Sequence, residues 1–229
     1  AQDYIAGFPP HPHRGFETVT YMIDGRMRHR DNQGNQGDLG PGSVQWMTAA
    51  RGIVHEEMPQ QENGMLWGHQ LWINLPASMK MGQPGYQDIE AERIPSVTHD
   101  AGAQVRVIAG RFGDTVGPVA DRPTEPHYFD VQLPKGARFA WNSPAGHTAF
   151  VQGVSGLTQV GTQVRPLRER ELVMLGAGDR IELAAESDAR VLIITGKPIG
   201  EPIAAYGPFV MNTPEEIRQA FDDFRSGRF

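Results

Sequence analysis

Residues 11–17 of this 229-residue chain read His-Pro-His-Arg-Gly-Phe-Glu, placing two imidazoles at i and i+2 and a carboxylate four positions beyond the second. Side chains alternate in direction along extended backbone, so His11, His13 and Glu17 share one face if the stretch is a strand. A second stretch, Gly52-Ile53-Val54-His55-Glu56-Glu57, repeats the spacing with His55 and Glu57, while Glu56 has the opposite parity and points away. Imidazole nitrogens and carboxylate oxygens are ligands for a transition-metal ion. Any one of these histidines alone reads as a surface or core residue. Three of them with a carboxylate, on two short extended segments, read as a mononuclear metal site if the fold brings the segments together.

The surrounding sequence supplies short strands. Phe16 to Ile23 is rich in aromatic and β-branched residues and ends at the turn dipeptide Asp24-Gly25. Met27 to Asp31 continues it, and His29, set among charges, is read as solvated. Leu39-Gly40-Pro41-Gly42 makes a tight turn before the extended Ser43 to Thr48. Gly68 to Pro76 alternates with a period of two, which puts His69 on the parity of Leu71 and Ile73, as a core or supporting histidine. Tyr86 to Pro95 reads as the boundary between halves. Beyond it, His127 to Leu133 alternates, and further short strands follow at 138–141, 148–154, 171–175, 180–184 and 190–195. Only the end changes period. Thr213 is a good N-cap, Pro214 suits the first helical position, and Ile217, Ala220, Phe221 and Phe224 form an apolar stripe. This predicts one amphipathic helix over 213–225, packed back on the barrel of its own half.

Composition narrows the classes. Twenty-seven glycines and 18 prolines suit many strands joined by turns. A net charge of −6 gives no electrostatic case for direct nucleic-acid binding. The chain has no cysteine, which removes disulfides, thiolate ligands and a cysteine nucleophile. No run is long enough for a membrane span and the first residues are no signal peptide, so a cytoplasmic protein without a membrane role is expected. The histidine cluster starts at residue 11 and there is no initiator Met, so a longer native amino-terminal segment is expected to precede it.

The two halves echo each other. His13-Arg14-Gly15-Phe16, running on to Asp24-Gly25, resembles Gly146 to Phe150, running on to Ser155-Gly156, and Leu39 to Ser43 resembles Leu175 to Asp179. Two barrels of related plan explain this. The second copy has a lone His147 and no His-x-Glu after Gly178, so the metal is placed in the first half only, and His127 and His147 are read as structural.

The first half resembles the cupin pattern of a His-x-His…Glu…Gly segment followed by a Pro-x-Gly…His segment, although Pro41-Gly42 lacks the intervening residue. The strings at 11–20, 41–49, 51–57 and 70–76, and the ending from Pro208 to Thr213 with its helix, are similar to the pirin family of bicupins. The resemblance implies an all-β fold of two cupin-type β-barrel domains face to face: an amino-terminal metal-binding domain over 1–95, and a domain without metal over 96–229 that carries the helix. It places the metal ligands on His11, His13, His55 and Glu57, with Glu17, the ligand in many other cupins, kept as a supporting residue. The implied cofactor is one divalent transition metal, iron first, with Mn, Ni, Cu or Zn as alternatives. The implied activity is a quercetin 2,3-dioxygenase-like cleavage of a flavonol or related enol by dioxygen, with Glu57 as general base; Phe16, Trp46 and Met47 are read either as an apolar wall for the substrate or as barrel core. A monomer is expected. The alternative reading is a redox-sensitive regulatory protein that acts through a protein partner, and a purely structural metal is the third.

Overall fold

The structure, a computed structural model, describes residues 2–61 and 63–229. The strands are short and antiparallel, as the turn-rich sequence requires. The first eight are β1 (Phe8–His13), β2 (Phe16–Asp24), β3 (Met27–Asp31), β4 (Gln36–Leu39), β5 (Val44–Thr48), β6 (Ile53–Pro59), β7 (Trp67–Asn74) and β8 (Gly85–Ile89), with a one-turn helix α1 (Ala77–Lys80) before β8. They form two four-stranded sheets, ordered β1-β6-β3-β4 and β7-β2-β5-β8. The chain therefore changes sheet between β1 and β2, at Gly15. Its φ of +91° is one that residues with a Cβ rarely adopt, and a Cβ there would lie 1.9 Å from the carbonyl oxygen of Val210.

Next come β9 (Ser96–Thr98), β10 (Gln104–Ala109), β11 (Arg111–Phe112), β12 (Thr115–Val116), β13 (His127–Leu133), β14 (Arg138–Asn142), β15 (Thr148–Ser155), β16 (Thr158–Val160), β17 (Arg165–Leu167), β18 (Leu172–Met174), β19 (Arg180–Ala185) and β20 (Ala189–Gly196). A six-stranded sheet, β18-β15-β20-β13-β10-β9, and a four-stranded sheet, β14-β19-β16-β17, enclose a core that includes Val107, Phe129, Val131, Phe139, Val151 and Ile193. Each such side chain, taken out of water, contributes roughly 1.5–3 kcal/mol of hydrophobic stabilisation. The chain ends in the hairpin β21 (Ala204–Tyr206) and β22 (Phe209–Met211) and the helix α2 (Pro214–Arg225). Among the described residues, no helix is long and apolar enough to cross a membrane.

The chain divides into two compact units, Ala1–Glu92 with Ile199–Phe229, and Arg93–Pro198. Residues 199–229, expected to complete the second domain, instead fold with the first unit. The reasons are specific. Phe209, Met211, Ile217 and Ala220 form a buried cluster of their own, and Val210 N donates to the carbonyl of Arg14 at 3.0 Å. Arg14, nearly fully buried, pairs with Asp223 of α2 at 2.8 Å and lies over the Phe229 ring. The buried ammonium of Lys80 donates to the carbonyls of Gly15 and Val210 at 2.7 and 2.8 Å. Removing either buried cation's partners would strand a charge, so these contacts tie the tail to the Gly15 corner. The helix itself starts as expected: Thr213 accepts from Glu216 N, and the Glu216 carboxylate accepts from Thr213 N in return.

Candidate metal centre

The register of the first sheet assembles the histidines. In the β1–β6 pair His11 is opposite His55 and His13 opposite Ile53, while in β3–β6 Asp31 is opposite His55 and His29 opposite Glu57. Residues opposite one another on adjacent strands share a face. The rings of His11, His13 and His55 lie 4.8, 4.3 and 4.9 Å apart pairwise, and one nitrogen from each falls within 4.8 Å of the others. His13 and His55 are buried and His11 is half-buried, so the cluster is reached from the His11 side.

The outer hydrogen bonds aim these rings. His11 Nδ1 donates to the carbonyl of Pro9 at 2.9 Å, and His13 Nδ1 donates to that of Pro208 at 3.4 Å. A carbonyl accepts only, so each ring carries its proton on Nδ1 and keeps a lone pair on Nε2. His55 Nδ1 meets His29 Nδ1 at 3.3 Å. Nε2 of His13 and of His55 is buried and has no hydrogen-bond partner among the described residues. A buried polar atom left unpaired costs about 1–3 kcal/mol. Two of them turned to a common point alongside a third imidazole fit a metal ion that takes all three lone pairs.

Burial, reinforced by the neighbouring imidazoles, favours the neutral forms of His13 and His55. Desolvation first, and the neighbouring His11 second, bring His13 down to about 4. Desolvation and then His11, His13 and His29 bring His55 down to about 2. At neutral pH both therefore present lone pairs rather than protons.

Glu57 lies on the same face of β6 as His55 and is buried, but it is not one of the three clustered ligands. Its carboxylate accepts from Gln70 Nε2 at 3.1 and 2.9 Å and from Thr20 Oγ1 at 3.2 Å. Glu56 points the other way, toward Arg30 at 3.6 Å. Glu17 does not reach the cluster's face. The Gly15 corner interrupts the alternation, so parity counted from His13 fails, and within β2 Glu17 lies on the face opposite Phe16, Thr18 and Thr20. There it accepts from Thr48 Oγ1 at 2.6 Å.

The apolar wall also differs from expectation. Met47 shares a row with Thr18 and Trp72, whereas Trp46 pairs with Val19 on the opposite face. The aromatic at the centre is Trp72, 4.4 Å from the Phe16 ring and 5.3 Å from that of His13, with its indole N–H donating to Gln70 at 3.1 Å. It is 45 % exposed, so it borders the opening. His69 is half-buried on the other face of β7, near Trp67. His29, read as solvated, is fully buried: β3 alternates Met27, His29 and Asp31 inward against Arg28 and Arg30 outward. That period-two pattern was the signal, masked by the charges between.

Comparison with known proteins agrees with this arrangement. Residues 1–73 match the profile of the family described as Pirin, and residues 128–229 that of the Pirin C-terminal cupin domain. A Pseudomonas aeruginosa protein provisionally named a quercetin 2,3-dioxygenase is 52% identical, over 98% of this chain and 81% of its own length. A Caulobacter vibrioides pirin-like protein is 50% identical, over 100% of this chain and 83% of its own. The crystal structure of a quercetin 2,3-dioxygenase from Acinetobacter baumannii superposes with a TM-score of 0.91 at 40% identity, covering 97% of this chain and 79% of that one. With two cupin-type barrels, a terminal helix and a histidine triad suited to a metal, the chain belongs to the pirin family.

Proposed function

We propose that this protein is a metal-dependent dioxygenase that opens a flavonol or a related enol with dioxygen and releases carbon monoxide. The observation that carries the reading is the convergence of one ring nitrogen each from His11, His13 and His55, with the Phe16 and Trp72 rings packed beside His13. The names of the similar proteins support the substrate class.

The three imidazoles would hold the ion, iron first among the candidates, with Glu57 on the His55 face of β6 as the fourth ligand, and when bound the ion would supply a Lewis acid and access to dioxygen chemistry. The chain's own residues do the rest. Trp72, exposed on one side and backed by the buried Phe16 ring at 4.4 Å, offers a face that suits a flat aromatic substrate. Glu57 takes the proton of the substrate hydroxyl as general base, and Gln70 and Thr20 keep its carboxylate turned inward. The overall reaction balances: flavonol plus O2 gives the ring-opened ester and CO.

The test is purified protein reconstituted with Fe(II) and supplied with flavonol under oxygen. Decay of the flavonol absorption band with matching oxygen uptake and CO release is the expected outcome. Unchanged absorbance in protein that demonstrably holds its metal overturns the proposal.

A further inference from the structure

The outer partner of His55 is a second histidine, where His11 and His13 each have a backbone carbonyl. A carbonyl fixes a tautomer by itself; an imidazole does so only if its own proton is fixed. The residue behind it does this. Asp31 Oδ1 accepts the backbone N–H groups of Gln33 and Asn35, both at 2.9 Å. Its Oδ2 accepts from Asn35 Nδ2 at 2.9 Å and faces His29 Nε2 at 3.4 Å. The side chains of His29 and Asp31 are both 0% exposed, so no bulk water competes.

We infer that His29 and Asp31 are positioning residues, a one-way relay of hydrogen bonds that locks His55 in the tautomer able to ligate a metal. Asp31 can only accept, so in a neutral His29 imidazole the proton sits on Nε2 and Nδ1 is a lone pair. Two facing Nδ1 atoms attract only when one of them carries hydrogen. His55 must then donate from Nδ1, which leaves its Nε2 lone pair turned to the cluster. The His29 ring also packs against the Tyr86 ring, 4.9 Å away and tilted by 36°. Partners of this kind, one bond removed from the ion, typically change metal affinity 10- to 100-fold. The inference rests on the metal reading above.

Asp31→Asn reverses the relay with almost no change of shape. Two backbone N–H groups claim the single amide oxygen, so the amide nitrogen turns toward His29 and pushes the proton pattern the wrong way. His29→Phe keeps the packing on Tyr86 and removes the acceptor. Calorimetric titration of the metal-free full chain with Ni(II) is expected to show 10- to 100-fold weaker binding in both variants, with the metal-free Tm within a few degrees of the parent. Binding within threefold of the parent in both variants overturns the relay. If the variants do not fold, 15N imidazole shifts of the metal-free parent decide it. A proton on His55 Nδ1 and on His29 Nε2 is expected, and a proton on His55 Nε2 overturns it. Failure of the parent to take up Ni(II) strikes at the metal reading, while the tautomer measurement still judges the relay.

Discussion

The first unit clusters three histidines, and the second brings two together, with a different outcome. His127 and His147 lie 5.8 Å apart, and the Nδ1 atoms of both sit 3.4 Å from the single hydroxyl of Thr195. His147 Nε2 faces Glu125 at 4.0 Å, and the His127 ring packs on Trp141 at 5.2 Å. One hydroxyl has one hydrogen to give and the two rings share it, while the Glu125 backbone bonds His127 and the Glu125 carboxylate faces His147, so both rings are engaged by local partners rather than left open to a common point. In the first unit His11 and His13 each donate to a backbone carbonyl, and the buried Nε2 atoms of His13 and His55 have no hydrogen-bond partner among the described residues. A metal site is thus specified less by how many histidines meet than by where their second nitrogens are anchored.

The hardest test of this contrast is His55→Ala. It removes a ligand outright and is expected to weaken metal binding by more than the roughly 100-fold ceiling of an outer-partner loss, as measured by Ni(II) titration. Comparable binding would mean that the cluster is not the site. The two corners provide the next test. Gly15 and Gly146 both have positive φ, but a Cβ at Gly15 meets the Val210 carbonyl at 1.9 Å while one at Gly146 meets nothing within 4 Å. Gly146→Ala is expected to cost about 1–3 kcal/mol of backbone strain, and Gly15→Ala clearly more, by denaturant unfolding of each variant. Equal costs would mean that the tail does not press on the corner.

Acid separates the units more gently. His13 binds its proton near 4 in the folded protein and near 6.5 when unfolded. Between those values the unfolded chain binds more protons, so stability is full above about 6.5 and falls as the pH drops toward 4. For His13 alone the loss is on the order of 3 kcal/mol, and His55 adds in the same direction. Urea midpoints of metal-free protein across this range should fall with pH, and a flat profile would refute the account. The smallest expected effect is on the second unit's histidines. His127→Ala and His147→Ala should each leave Ni(II) stoichiometry and affinity unchanged, and a lost equivalent of metal would place a second site there.

The strands and the three clustered imidazoles were legible because both follow from period-two alternation within a strand. The failures have equally local causes. Counting parity from His13 to Glu17 crossed Gly15, where the chain turns onto another sheet and the count restarts. Trp46 looked like the aromatic wall because it is apolar and near, yet β2 and β5 are buried on both faces, and only the register shows that Trp72 takes that place. His29 was judged by its charged neighbours rather than by its parity. The tail was assigned to the nearer domain in sequence, because nothing in residues 199–229 announces that Arg14 and Lys80, far upstream, need them as partners.

The Pro208 carbonyl that anchors His13 has a consequence in time. These two residues are separated by 195 positions. At 5–20 residues per second, the ribosome takes about 10–40 s to deliver the second after the first. Throughout that interval the nascent chain carries His11, and soon His55, with a His13 ring that nothing holds in its ligating tautomer. A chain interrupted before residue 208 would therefore lack the carbonyl that fixes the His13 tautomer, and the three imidazoles would be fully oriented only once the tail has closed on the first unit.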